Sequence, residues 1–243
     1  MTEKKSSPNE AELLLRNVDT ALPRRRFLAY AGLTTSILAF GSCKKIVEEI
    51  KDYTKDHDGM AGNTVNLGSG DIGILNYAYA LEQLEAAFYT KVAMNFYTGI
   101  SSKERNYLEN IRDHEIAHRE FFKKALGDKA IGTLEVDFST INFNSRDSVL
   151  ATAKAFEDLG VSAYNGAGEL LQSGDYLLLA GKIVSVEARH AAAIRDLVSY
   201  GSFVDNTVVN EMGLDLYRTP PQVLQIAGTY IKTKINASNL PTS

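Results

Sequence analysis

Two short stretches, Glu115-Ile116-Ala117-His118 and Glu187-Ala188-Arg189-His190, decide how this chain is read. Positions i and i+3 share a face of an α-helix, so each stretch can present a carboxylate and an imidazole to one point. The chain has only 4 histidines in 243 residues, and two of them stand three places after a glutamate. A second pair of segments extends the pattern. Leu81-Glu82-Gln83-Leu84-Glu85-Ala86-Ala87-Phe88-Tyr89 aligns with Phe156-Glu157-Asp158-Leu159-Gly160-Val161-Ser162-Ala163-Tyr164, with Glu, Leu and Tyr coinciding. The chain therefore reads as a duplicated helical hairpin, each half supplying Glu…Tyr and then Glu-x-x-His.

The surrounding residues predict an all-α fold of four long helices. The first opens at Asp71 as its cap and runs to about Met94. The second opens with the capping box Ser101-x-x-Glu104 and closes before Gly127. The third spans from near Ser145–Asp147 to Ser173-Gly174, and the fourth runs from Asp175 to before Gly201. Short loops join the first pair and the last pair, as between antiparallel neighbours. The stretch Gly127 to Asn144 is much longer, which predicts a crossover along the bundle, as ferritin-type four-helix bundles require. Its Val136, Phe138, Ile141 and Phe143 are expected to pack on the helices. Beyond Gly201 we expect a carboxy-terminal appendage with a short helix from Gln222 to Lys232.

Helical-wheel positions turn the acids inward. Asn76, Gln83 and Thr90 centre roughly 100° from Glu82, at ~100° per residue. Lys154, Asp158 and Asn165 lie on the corresponding side of Glu157. No Lys or Arg is centred on the acidic faces, and burying four uncompensated carboxylates costs several kcal/mol each. Divalent cations would neutralise them. The predicted site is thus dinuclear, with Glu82 and Glu157 from two helices and Glu115/His118 and Glu187/His190 from the others, the ligand set of di-iron and di-manganese carboxylate proteins. Oxygen and nitrogen donors without thiolates favour iron or manganese.

Composition excludes other classes. The chain is 44% apolar, enough for a core, and carries one cysteine, too few for a disulfide framework or a thiolate metal cage. A net charge of −4 without a long basic block argues against nucleic acid as a partner.

The amino terminus reads as an address. Arg24-Arg25-Arg26-Phe27-Leu28 begins an uncharged run that extends to Gly41, too short to span a bilayer. Positive charge, an apolar run and small Gly41-Ser42 have the layout of an export signal and resemble the twin-arginine type. The alternative is a basic tail helix. Leu38-Ala39-Phe40-Gly41-Ser42-Cys43 resembles a lipoprotein cleavage box with Cys43 as the lipidated residue; the alternative is an incidental cysteine. Removing residues 1–42 takes away 6 Lys/Arg and 4 Asp/Glu, which leaves a net charge of −6. The expected organisation is export signal 1–42, linker and short helix 43–70, bundle 71–200 and extension 201–243.

Residues 71–200 resemble the ferritin-like domain, particularly its exported bacterial branch related to plant desiccation-related proteins. The resemblance rests on Leu81–Tyr89, on Glu157-Asp158-x-Gly160-Val161-x-Ala163-Tyr164-x-Gly166-Ala167 and on the Glu-x-x-His pairs. It implies that Glu115 and Glu187 bridge two metals and that Glu82, Glu157, His118 and His190 are terminal ligands. It also implies that Tyr89 and Tyr164 orient the opposite carboxylate. Glu85 has Gly160 as its repeat mate; it is either a seventh ligand, as in rubrerythrin-like relatives, or a core-edge carboxylate bonded to Tyr or His. His114 reads as surface or an outer neighbour of the site, and His57 as solvated.

The expected function is that of an exported periplasmic or envelope protein with two Fe or Mn ions. It would act on dioxygen or peroxide in stress protection, by ferrous oxidation or peroxide disproportionation. The competing expectation is a non-catalytic envelope protein braced by metal.

Overall fold

The computed structural model describes residues 64–242. The export segment, Cys43 and His57 lie outside these residues. Four long helices form the bundle: α1 (Gly70–Met94), α2 (Ser102–Leu126), α3 (Arg146–Gly168) and α4 (Gly174–Val198). α1 packs along α2 and α3 along α4, so the two hairpins read from the repeat are the two halves of the bundle.

The helices begin where their side chains can satisfy the free amides. Ser101 and Glu104 form the reciprocal capping box, and Ser145 and Ser173 accept from the amides of Ser148 and Tyr176. Asp71 does something else. Ser69 occupies the cap position of α1, and the Asp71 carboxylate accepts the amides of Gln172 and Ser173, tying the α3–α4 turn to the start of α1. Glu169 and Leu170 form a turn, so α3 stops at Gly168, short of the expected Ser173-Gly174.

The polar stripes flanking the acids are covered rather than solvated. Asn76 and Gln83 are buried and pin the crossover. Asn76 donates to the carbonyls of Leu67 and Lys129 and accepts from the amide of Ile131. Gln83 bonds Gly132 and Leu134 in the same way. Ile131, Leu134, Phe138 and Ile141 are thereby seated in the core, with Val136 and Phe143 packed against it. α1, buried on nearly every side, reads as apolar all round because the crossover covers its outer face.

The equivalent stripe on α3 seats the carboxy-terminal segment. Asn165 donates to the Leu216 carbonyl, and Ser162 bonds both the amide and the guanidinium of Arg218. Arg195 is 2% exposed and bridges Asp158 to Asp205. Gly166 permits a close approach, but of the Arg218 backbone rather than of a helix: a Cβ there would meet the Arg218 carbonyl oxygen at 1.9 Å. The short helix α5 (Pro220–Ala227) starts two residues earlier than expected, because Pro220 and Pro221 suit its first turn. A final strand, β2 (Ile235–Asn236), pairs in parallel with β1 (Val65–Asn66), and Leu240 packs over Gly73. The extension is tied to the bundle at Asp205, Leu216, Arg218 and Leu240.

Candidate metal centre

Each bundle helix delivers its acid to one point on the axis. Glu82 (α1), Glu115 (α2), Glu157 (α3) and Glu187 (α4) are each 0% exposed, and His190 is nearly as buried. The His118 side chain keeps 13% of its surface accessible. The six residues fall into two groups, Glu82/Glu115/His118/Glu187 and Glu115/Glu157/Glu187/His190. Within each group, one ligand-type atom per residue lies within 4.8 Å of all the others, and Glu115 and Glu187 belong to both.

The two halves mirror each other. His118 Nδ1 lies 2.8 Å from Glu187 and 3.5 Å from Glu82, while His190 Nδ1 lies 2.8 Å from Glu115 and 3.5 Å from Glu157. The Tyr89 hydroxyl donates to Glu157 at 2.5 Å, and that of Tyr164 donates to Glu82. Each tyrosine thus reaches across the repeat to the carboxylate of the other half. This occupies one oxygen of Glu82 and of Glu157 and leaves the other turned inward.

Those inward atoms are unsatisfied. Glu82 Oε2, Glu157 Oε2, both oxygens of Glu115 and of Glu187, and Nδ1 of His118 and His190 are buried without a hydrogen-bond partner. The nearest neighbours of these atoms are one another: each histidine Nδ1 faces three glutamates at 2.8–3.9 Å. Buried polar groups in native proteins are almost always paired. Eight such atoms converging on one space fit divalent cations with oxygen and nitrogen ligands.

Charge at the site is equally unbalanced without a cation. Burial and the Glu187, Glu157 and Glu82 carboxylates hold Glu115 well above the usual carboxylate range. Burial pushes Glu157 up to about 7 despite its contact with His190. Burial also opposes charge on the two histidines, but the facing glutamates outweigh it and raise both to about 10. Glu187 moves the other way: burial is overcome by His118 and His190, which lower it to about 2. Protons thus do the work of a cation, and a metal entering such a site displaces them.

Glu85 is 4% exposed and belongs to neither group. Burial and the four site carboxylates hold it well above the usual range. Its Oε1 lies 3.1 Å from where a Cβ on Gly160 would stand, so the residue at its repeat position is the one that makes room for it. His114 sits outside the cluster, with Nδ1 2.8 Å from His190 Nε2. That contact fixes the ring whose other nitrogen faces the carboxylates. Its sequence signal is faint: His114 lies one helical turn before His118, but its repeat mate is Val186.

Residues 70–200 match the ferritin-like domain family. Comparison with curated proteins finds no match to the chain.

Proposed function

Because the chain belongs to the ferritin-like domain family, we propose that it binds a pair of iron or manganese ions and uses them for redox chemistry with dioxygen or peroxide. The observation that carries this reading is the pair of ligand groups sharing Glu115 and Glu187, with eight buried unsatisfied atoms turned on one another. Glu115 and Glu187 would serve both ions. Glu82 with His118, and Glu157 with His190, would serve one each. Bound there, the metals supply reversible one-electron chemistry, either oxidation of ferrous iron or disproportionation of peroxide.

The protein's own residues set the conditions for that chemistry. Tyr89 and Tyr164 hold the terminal carboxylates in place, and His114 holds the ring of His190. The apolar bundle excludes water from the four glutamates, which strengthens their hold on a cation. The histidines and Glu157 release protons as metal enters. Glu85, buried and interacting with the charges of the four site glutamates, would either join the ligand set or stay beside it as a protonated neighbour. The amino-terminal segment, with Arg24–Leu28 and Cys43, would carry the protein to the periplasm or envelope and anchor it there.

The test is metal analysis of protein purified from its native compartment, followed by oxygen and peroxide consumption. Two Fe or Mn per chain with consumption supports the reading. Sub-stoichiometric Fe and Mn would sink it, and two metals without consumption would make the centre a brace in a non-catalytic envelope protein.

A further inference from the structure

Beside the carboxylate cluster, toward the end of the bundle where α1 and α4 begin, lies an apolar cavity of about 30 Å³. Its position follows from helix periodicity. Ala78, Phe122 and Ile183 line it, and each stands four residues, or about one turn, from a site residue: Glu82, His118 and Glu187 respectively. The Tyr164 ring forms another wall while its hydroxyl donates to Glu82. Ala125, exposed on α2, stands at the rim, and the opposite wall at Ile74 and Ala78 is buried.

A cavity needs roughly 10–15 Å³ to hold one water-sized molecule, and a buried water needs two to four polar partners. Here the volume suffices but the partners do not: among the lining side chains only Tyr164 and Tyr176 carry a polar atom, and the Tyr164 hydroxyl is already committed to Glu82. Hydrogen peroxide has the same need for partners and loses its hydrogen bonds on entry. A small apolar diatomic loses none and leaves water readily.

We infer that this cavity is a dioxygen site one helical turn from the metal centre, which makes dioxygen rather than peroxide the oxidant that the bundle is shaped to receive. The inference rests on the redox reading above. With a ferrous pair held by the cluster, dioxygen would accept two electrons and two protons and leave as hydrogen peroxide.

Two measurements test it. Methyl NMR of the metal-free full chain under dissolved dioxygen should show oxygen-induced relaxation at the methyls of Ala78, Leu75 and Ile183 well above that at Leu108, Leu150 and Ile194, which are buried outside the cavity. Uniform relaxation across these methyls would overturn the inference. Second, Ala78→Val and, nearer the rim, Ala180→Leu should fill the space and lower the ratio of dioxygen-driven to peroxide-driven ferrous oxidation several-fold. An unchanged ratio in both variants, each with two metals bound, overturns it. Failure of the metal reading itself looks different: the wild type would then take up no metal, while the NMR comparison still reports on the cavity.

Discussion

Gly160 stands opposite Glu85: a Cβ there would press on the Glu85 carboxylate at 3.1 Å, so the glycine gives that carboxylate its room. The two occupy the same position in the two halves of the repeat, so one half has a carboxylate where the other has a hole. Gly→Ala inside a helix ordinarily gains about 1 kcal/mol of propensity. Gly160→Ala should forfeit that gain in the native protein and recover it in the Glu85→Ala background, giving a non-additive double-mutant cycle by chemical denaturation. Additive effects would show that the two residues do not share the space.

The cross-repeat tyrosines predict a loss of metal retention without loss of fold. Tyr89→Phe leaves Glu157 Oε1 buried without its donor, and Tyr164→Phe does the same to Glu82 Oε1. Each should cost about 1–3 kcal/mol of stability. Removing an outer partner of a metal ligand typically weakens metal binding about 10–100-fold. Competition with a chelator measures the second effect and thermal unfolding the first.

The metal-free protein should have an unusual stability profile with pH. Glu157 (ordinarily 4.5, raised to about 7) and the two histidines (ordinarily 6.5, raised to about 10) hold more protons folded than unfolded. Stability from these groups is complete below their unfolded values and is lost as pH rises from about 4.5 to about 10. Glu187, lowered to about 2, acts oppositely, and its contribution fades as pH falls from 4.5 through about 2. Denaturation of the metal-free form should therefore show greatest stability in mild acid. Metal loading should reverse the decline above neutrality, because metal replaces the protons.

Asn76 is the pin of the crossover, with hydrogen bonds to Leu67, Lys129 and Ile131. Asn76→Ala should destabilise the protein by about 3 kcal/mol, because buried backbone groups lose their partners. Hydrogen exchange should show the Ile131 amide opening first. A surface-like effect of a few tenths of a kcal/mol would contradict the assigned role.

The bundle was legible because its signals are local. The spacing of Glu-x-x-His, the Ser101/Glu104 box and the long gap before Asn144 each depend on residues close in sequence. What escaped depends on contacts between distant segments. Asn76 and Gln83 look like a solvated stripe on a wheel, but the stripe faces the crossover. Asp71 looks like the cap of its own helix, yet its acceptors serve Gln172 and Ser173, about a hundred residues away. Asp158 and Asn165 occupy the α3 counterparts of that stripe and receive the carboxy-terminal segment. Each half thus uses its polar stripe to seat the chain that follows it, a rule visible once both halves are compared in space. At the site, the residue types and spacing were readable, whereas the fit of Glu85 against Gly160 required the distance between α1 and α3.

The proposed chemistry stands on two metal ions sharing Glu115 and Glu187. Anomalous diffraction from crystals of the iron- or manganese-loaded protein tests it most directly. Two peaks per chain are expected, one within Glu82/Glu115/His118/Glu187 and one within Glu115/Glu157/Glu187/His190, both absent in Glu115→Ala and Glu187→Ala. A single peak, or peaks that persist in both variants, would contradict it.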